Sequence, residues 1–80
     1  MQKLMRLDLV KGGSRATIKE IYKHGNIVGR LYHIGILPGR EVEVLINNGR
    51  GPIIIKVEDT EIVLGRGLAK KILVEVMNNE

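Results

Sequence analysis

The amino-acid sequence predicts a mainly β domain: a small barrel of about five strands, with one short helix between the first and second strands and a one-turn helix before the last. Three observations carry this prediction. A helix end leads directly into a tight turn within residues 30–40, short runs of alternating apolar and polar residues follow it, and glycine, proline and asparagine separate those runs. With 80 residues, the chain has the length of one domain.

The first strand is predicted over residues 15–23, after a turn at Gly12-Gly13. Ile18 and Ile21 are three positions apart, which places them on opposite faces of a regular strand. Both can face the core only if a β-bulge lies between them, and we expect that bulge. Gly25-Asn26 then offers an N-cap for the helix.

The helix end is the most specific stretch of the sequence. Leu31 and Ile34 lie three apart, on one helical face. Gly35 can take the left-handed conformation that ends a helix, and Ile36 is placed to fold back onto the last turn. Leu37-Pro38-Gly39-Arg40 then has proline and glycine at the positions that a type II turn favours, so a strand should begin at once.

The second and third strands, residues 41–46 and 53–58, are predicted to pair across the turn-rich segment 47–52. The pairing that keeps one face apolar, with opposite charges meeting on the other face, is Ile46–Ile53, Val44–Ile55, Val42–Val57 and Glu43–Lys56.

A two-residue turn at Asp59-Thr60 is predicted to join the third strand to a fourth at residues 61–64. This turn sets three pairs: Glu58–Glu61, Val57–Ile62 and Ile55–Leu64. Because a slip of one residue would turn every apolar side chain outward, two hairpins that share one apolar face favour a three-stranded meander.

The last predicted elements are one helical turn at residues 66–71 and a strand that begins at Ile72. Residues 1–6 and 78–80 are expected to be loosely ordered within a single domain, 1–80. Together these elements describe an SH3-like barrel. Its predicted core is aliphatic: Ala16, Ile18, Ile21, Ile27, Leu31, Ile34, Val42, Val44, Ile46, Ile53, Ile55, Val57, Ile62, Leu64, Ile72, Val74 and Val76.

Composition excludes several classes of protein. The chain has no cysteine, so it has no disulfide, thiolate metal site or cysteine nucleophile. With no phenylalanine or tryptophan and only two tyrosines, it lacks both the aromatic groove that binds polyproline and the stacking platform for single-stranded nucleic acid. Thirteen basic and nine acidic residues give a net charge of +4, but the basic residues are scattered. No apolar run is long enough to span a membrane, and we expect a cytoplasmic protein.

Motifs spread over the chain match those of a known family. The matching residues are Leu7, Val10 and Gly13, Ala16 and Ile18, Arg30-Leu31, Gly35-Ile36-Leu37-Pro38-Gly39, Gly51-Pro52, Ala69, Ile72 and Val74. Over essentially its whole length the sequence resembles the FeoA family, the ferrous iron transport protein A domain. It departs from the family pattern at Gly12, where proline is common, and at Gly29 within the helix.

The resemblance implies an SH3-like domain that is a cytosolic accessory of FeoB, a membrane transporter of ferrous iron with a cytosolic GTPase domain. Contact with FeoB would bring the protein to the inner face of the membrane, without insertion. Similar domains end iron-dependent and manganese-dependent transcriptional repressors, but an 80-residue chain is expected to have no room for their other regions. The alternative is a small basic SH3-like protein that binds RNA or the ribosome, whose affinity would fall steeply with salt.

Candidate metal ligands are few. His33 lies at the helix C-terminus, where a histidine cation suits the helix dipole, and His24 precedes a turn. Two histidines without cysteine or a close carboxylate pair do not make a tetrahedral set. Glu58, Asp59 and Glu61 carry oxygen ligands but surround a hairpin, where solvated carboxylates are common. We therefore expect no cofactor, and the sequence supports direct transition-metal binding only weakly.

No enzymatic site is expected. The glycine-rich segments 49–52 and 65–67 lack the pattern of a phosphate-binding loop. Ser14 is the only serine, and no residue beside it in the sequence would activate it.

Apolar residues on the outer face of the meander are candidates for a partner interface. In the predicted register Leu45 lies opposite Ile54, Val63 lies next to Lys56, and Leu73 points outward from the last strand. Single exposed aliphatic residues are common on protein surfaces. We nevertheless expect contact with the transporter, or with a second copy as a homodimer, among these residues and three from the helix end: Arg30, Tyr32, His33, Leu45, Ile54, Val63 and Leu73.

Overall fold

Six strands form one antiparallel sheet in the part of the chain that the computed structural model describes, residues 3–22 and 27–77. The strands are β1 (Lys3–Arg6), β2 (Arg15–Ile21), β3 (Glu41–Ile46), β4 (Ile53–Val57), β5 (Thr60–Leu64) and β6 (Ile72–Met77), in the order β1-β6-β2-β3-β4-β5. A 3₁₀ helix (Leu7–Leu9) follows β1, helix α1 (Ile27–His33) joins β2 to β3, and helix α2 (Arg66–Ala69) joins β5 to β6. The mainly β fold with two short helices at these places is confirmed.

Strand β1 is absent from the sequence prediction, which treats residues 1–6 as loosely ordered. It pairs with β6, where Met5 lies opposite Val74 and packs partly buried against the core. The strand has only four residues, and of these only Met5 packs against the core. The sequence therefore shows no repeated alternation of apolar and polar residues from which this strand could be predicted.

The predicted bulge in β2 is confirmed. The register of β2 against β6 shifts between Ile18 and Glu20, and Ile18 and Ile21 are consequently both buried. The bulge therefore explains how two residues three positions apart can both face the core.

The predicted helix stop is also confirmed. Gly35 has φ +90°, its N–H donates to the carbonyl of Tyr32 at 3.1 Å, and the Ile36 N–H donates to that of Leu31 at 2.9 Å, which is the Schellman pattern. Ile36 is fully buried, whereas Ile34, predicted in the core, is 44% exposed. The chain reverses at Gly35, so the residue after it, and not the one before it, turns inward.

The type II turn follows as predicted. Gly39 has φ +92°, and the Arg40 N–H donates to the Leu37 carbonyl at 3.1 Å. The turn also bonds to β2, since the Gly39 N–H donates to the Ile18 carbonyl at 2.7 Å. The N-cap expected at Gly25-Asn26 lies outside the described residues, as does the predicted core side chain of Ile27.

The β3–β4 hairpin confirms three of its four predicted pairs: Val42–Val57, Glu43–Lys56 and Val44–Ile55. The fourth is wrong, because the register shifts between Val44 and Ile46, and Ile46 lies opposite Ile54 instead of Ile53. This bulge turns Ile46 to the outer face, where it is 46% exposed, so its predicted core position is wrong too.

The β4–β5 hairpin has the predicted faces but a different register. Its turn is Glu58-Asp59, not Asp59-Thr60, and Val57 pairs with Thr60. Relative to the prediction, the partners of β4 move by two residues, which leaves every side chain on its expected face. Glu58 has φ +58°, and a positive φ in the turn is what two-residue hairpin turns require.

The core is aliphatic and lies on the inner face of the sheet. Most of the predicted positions are buried, and Ile62 packs partly buried against them. Buried residues that the predicted core omits are Leu7, Val10, Ile36 and Ala69. All four lie outside the strands, where alternation gives no signal.

Candidate functional site

The sheet brings together an exposed apolar row on its outer face. Ile54 pairs with Ile46 on one side and with Val63 on the other, so the row crosses β3, β4 and β5. Val63 is 66% exposed and Ile46 46% exposed, whereas Ile54 is half-buried between them. We call these three residues the apolar row.

The predicted outer-face residues divide between this row and other places. Ile54 and Val63 belong to the row, but two predicted neighbours are wrong. Val63 lies opposite Ile54 and not next to Lys56, because β5 is shifted by two residues. Leu45 does not pair with Ile54, because the bulge places Leu45 between paired residues. Leu45 is half-buried. Leu73 lies on β6, opposite Arg6 of β1, and is separated from β3 by β2. Sequence reasoning missed Ile46, because its place in the alternation matched that of a core residue.

Three further candidates lie on α1 and not on the sheet. Arg30, Tyr32 and His33 are exposed at the C-terminal end of this helix, Tyr32 at 50%. The Schellman bonds at Gly35 fix where the helix ends and so hold this surface in place. The structure therefore separates the candidate interface into two sets, one on α1 and one on the outer face of the sheet.

A charged groove of about 300 Å³ lies on the outer face of β2, β3 and β4. Three cations and three anions line it with one valine: Arg15, Arg40, Lys56, Glu41, Glu43, Glu58 and Val42. Glu43 lies between Arg15 and Lys56 in the strand register, and Arg40 forms an ion pair with Glu58. Cations and anions are present in equal number here, so the groove is not a basic footprint for nucleic acid.

A network that sequence reasoning missed connects the ends of several elements. Arg66 donates to the carbonyls of Asp8 at 2.7 Å and Gly51 at 3.1 Å, and to the side-chain oxygen of Asn47. Asn47 donates to the carbonyls of Asp8 at 3.0 Å and Val10 at 2.7 Å. We call the side chains of Arg66 and Asn47, with the carbonyls they bind, the polar clasp.

Asp8 is the one buried charged residue in the described part of the chain, at 3% exposure. Arg6 balances it with two hydrogen bonds, at 3.0 and 3.1 Å, to the two carboxylate oxygens. Asp8 thus fixes the end of β1 while its carbonyl enters the polar clasp. These are structural roles, and the only trace in the sequence was an arginine two residues from an aspartate.

The described residues hold no group of three or more histidine, aspartate or glutamate side chains that could bind a metal ion. His33 is exposed, and His24 lies outside the residues that the structure describes. Of the carboxylates at the β4–β5 turn, Glu58 is bound by Arg40. Within the same described ranges, no helix is long and apolar enough to cross a membrane.

Comparison with known proteins gives consistent matches across the chain. The FeoA domain family matches residues 5–76. A protein named Fe(2+) transport protein A from Methanocaldococcus jannaschii is 39% identical over 69 residues, which cover 86% of this chain and 83% of that protein.

Solved structures match equally well. The crystal structure of an iron uptake regulatory protein, FeoA, superposes with a TM-score of 0.88 at 28% identity, covering 94% of this chain and all of that one. A zinc complex of FeoA from Stenotrophomonas maltophilia, described as a prokaryotic SH3 domain protein, superposes with a TM-score of 0.78 at 27% identity and covers 88% of each chain. The SH3-like architecture predicted from the sequence is confirmed.

Proposed function

This chain belongs to the FeoA domain family and has a role in ferrous iron uptake, and we propose that it acts there as a cytosolic accessory of the membrane transporter FeoB. In this proposal it works by protein–protein contact and not by catalysis. The S. maltophilia relative is described as a candidate activating factor of ferrous iron transport, which supports a regulatory role.

The observation that carries the proposal is the apolar row. Ile46, Ile54 and Val63 come from three adjacent strands and lie side by side on the face opposite the core. Scattered exposed aliphatic residues are common, but a contiguous row on a rigid sheet offers a surface that loses water when a partner covers it. Polar groups beside it, including Lys56 and Glu61, would form the rim of such an interface.

The experiment is binding of the whole chain to the transporter in detergent or in lipid nanodiscs, with Ile54→Glu as the test variant. Ile54 is at the centre of the row, where a charge would be desolvated on binding, so we expect affinity to fall about tenfold or more. Iron uptake in cells that depend on this protein should fall in parallel.

Leu9→Glu is the matched control. Leu9 is 54% exposed and lies on the 3₁₀ helix, outside the sheet, so the same change of chemistry should leave binding intact. Urea unfolding of both variants checks that the fold persists. Undiminished binding by a folded Ile54→Glu protein would contradict the proposed surface, and no binding by the wild-type chain would contradict the proposed partner.

A further inference from the structure

Both edges of the sheet end in strands that have only one neighbour among the described residues. β1 pairs with β6 alone and β5 pairs with β4 alone. Each edge also presents an exposed apolar side chain on the outer face, Leu4 at 58% and Val63 at 66%. Open edges of this kind are templates for pairing with another strand.

The hydrogen bonds inside the sheet show which backbone groups of β5 point outward. The Val44 N–H donates to Ser14 at 2.9 Å and its carbonyl accepts from Gly13 at 2.6 Å, so Val44 makes no ladder bonds to Ile55. The backbone N–H and C=O groups of Ile55 therefore point toward β5, where they form hydrogen bonds with the backbone of Ile62. Because bonding direction alternates along a strand, the residues on either side of Ile62 point their N–H and C=O groups out of the sheet. These are Glu61 and Val63.

The same reasoning applies to β1. The Ile18 N–H donates to the Arg40 carbonyl at 2.9 Å and the Ile18 carbonyl accepts from Gly39 at 2.7 Å, so Ile18 turns its backbone away from β6. Val74 lies opposite Ile18 on β6, so its backbone N–H and C=O groups point toward β1 and form hydrogen bonds with the backbone of Met5. The residues that point their backbone groups out of this edge are Leu4 and Arg6.

One antiparallel register satisfies the two edges together. It places Leu4 opposite Val63, Met5 opposite Ile62 and Arg6 opposite Glu61. The first pair joins exposed apolar residues on the outer face, and the second joins partly buried residues on the core face. The third places Glu61 opposite Arg6, whose guanidinium also binds Asp8. Leu4–Val63 and Arg6–Glu61 are also the pairs whose backbone groups point outward, so each can exchange two hydrogen bonds.

Other registers lose this match. Sliding β1 by two residues in either direction places Leu4 opposite Glu61 or Arg6 opposite Val63. Pairing β5 with β5 of another copy places Glu61 opposite Glu61, Val63 or Gly65, and none of these gives it a charge partner.

In this fold, β1 and β5 of the same molecule cannot pair in this register. Arg66, which follows β5, donates to the Asp8 carbonyl, which follows β1, at 2.7 Å. In the matching register Arg6 would instead lie beside Glu61, five residues before Arg66. The polar clasp therefore holds the two edges of one molecule out of register with each other.

We propose that β1 of one molecule pairs with β5 of a second copy in this register and continues the sheet from molecule to molecule. The contact is heterologous, so a pair of molecules still has one unused β1 and one unused β5, and assembly proceeds to a ring or a short filament. The inference does not rest on the role in iron uptake.

The test uses the full chain and two variants, Leu4→Glu and Val63→Glu, in sedimentation equilibrium. We expect the wild type to associate as its concentration rises to about 1 mM, the range of a weak contact, and each variant to weaken this association about tenfold or more. Both residues are exposed, so neither change disturbs the core. Leu9→Glu, exposed to a similar degree but outside both edges, should associate like the wild type.

Mixing the two variants gives the decisive result. Leu4→Glu keeps an intact β5 edge and Val63→Glu keeps an intact β1 edge, so an equimolar mixture should form a 1:1 dimer and stop there. A monomeric wild type at the same concentration would overturn the proposal. So would a mixture that stays monomeric, or association that Val63→Glu abolishes and Leu4→Glu leaves unchanged.

Discussion

At the residue scale, Arg66 holds together parts of the chain that are far apart in sequence. Its guanidinium group binds the carbonyls of Asp8 and Gly51 and the side chain of Asn47, so it connects the 3₁₀ helix, the β3–β4 loop and α2. Nothing near Arg66 in the sequence indicates this, because each partner is a backbone carbonyl or a loop side chain. Long-range polar contacts of this kind follow from the fold and cannot be recognised before it is known.

We predict that Arg66→Ala destabilises the protein by about 1 to 3 kcal/mol, because it removes three hydrogen bonds from a charged donor, two of which are part-buried. The control is Arg50→Ala, since Arg50 is exposed and precedes Gly51 in the same loop. Urea unfolding of both variants measures the difference. Equal stabilities of the two variants would show that the polar clasp contributes nothing to the fold.

Position 39 requires glycine because of its backbone conformation, and not because a side chain would clash with neighbouring atoms. Gly39 has φ +92°, and a Cβ atom there would meet no other atom within 4 Å. We predict that Gly39→Ala costs about 1 kcal/mol through backbone strain alone. Gly67→Ala is the matched control, because Gly67 lies in α2 with equally open space and no positive φ, and alanine should stabilise that helix by about 0.5 to 1 kcal/mol. Thermal unfolding should show midpoints shifted in opposite directions, and shifts of one sign would contradict this assignment.

At the element scale, the two bulges show what the sequence can predict and what it cannot. The bulge in β2 is visible because Ile18 and Ile21 break the alternation of apolar residues, and only an extra residue restores it. The bulge in β3 is invisible because Ile46 continues a regular alternation and would suit the core equally well. Likewise, alternation fixes the faces of β5 but cannot distinguish registers that differ by two residues. The candidate interface was therefore predicted in part: Ile54 and Val63 were placed on the outer face, but Ile46 was not.

Because of the bulge in β3, we predict that Ile46→Ala and Ile53→Ala destabilise the protein by different amounts. The sequence predicts that both residues lie in the core, opposite each other. Ile53 is fully buried, so its truncation should cost about 2 to 5 kcal/mol through lost burial and a residual cavity. Ile46 is 46% exposed, and its truncation should cost less than about 1 kcal/mol. Chemical denaturation of the two variants gives the comparison. Similar losses would place Ile46 in the core and remove it from the apolar row.

At the scale of the whole molecule, two proposed contacts share one residue. Val63 is the outermost member of the apolar row and also a member of the β5 edge, whereas Leu4 belongs only to the β1 edge. A transporter bound across the row would therefore cover the edge that a second copy needs. Binding of the transporter and self-association should compete, since one surface cannot be buried against both.

This competition predicts different behaviour for two variants that are both monomeric. Leu4→Glu should bind the transporter at least as tightly as the wild type, because its row is intact and no second copy occupies the β5 edge. Val63→Glu should lose affinity for both partners, about tenfold or more, because the charge lies within both surfaces. Titration of each variant into transporter-containing nanodiscs, at protein concentrations where the wild type self-associates, measures both affinities. Equal transporter affinities for the two variants would show that the transporter does not bind at Val63, so that the two contacts do not overlap. A loss of transporter binding by Leu4→Glu would place the transporter contact at β1 instead.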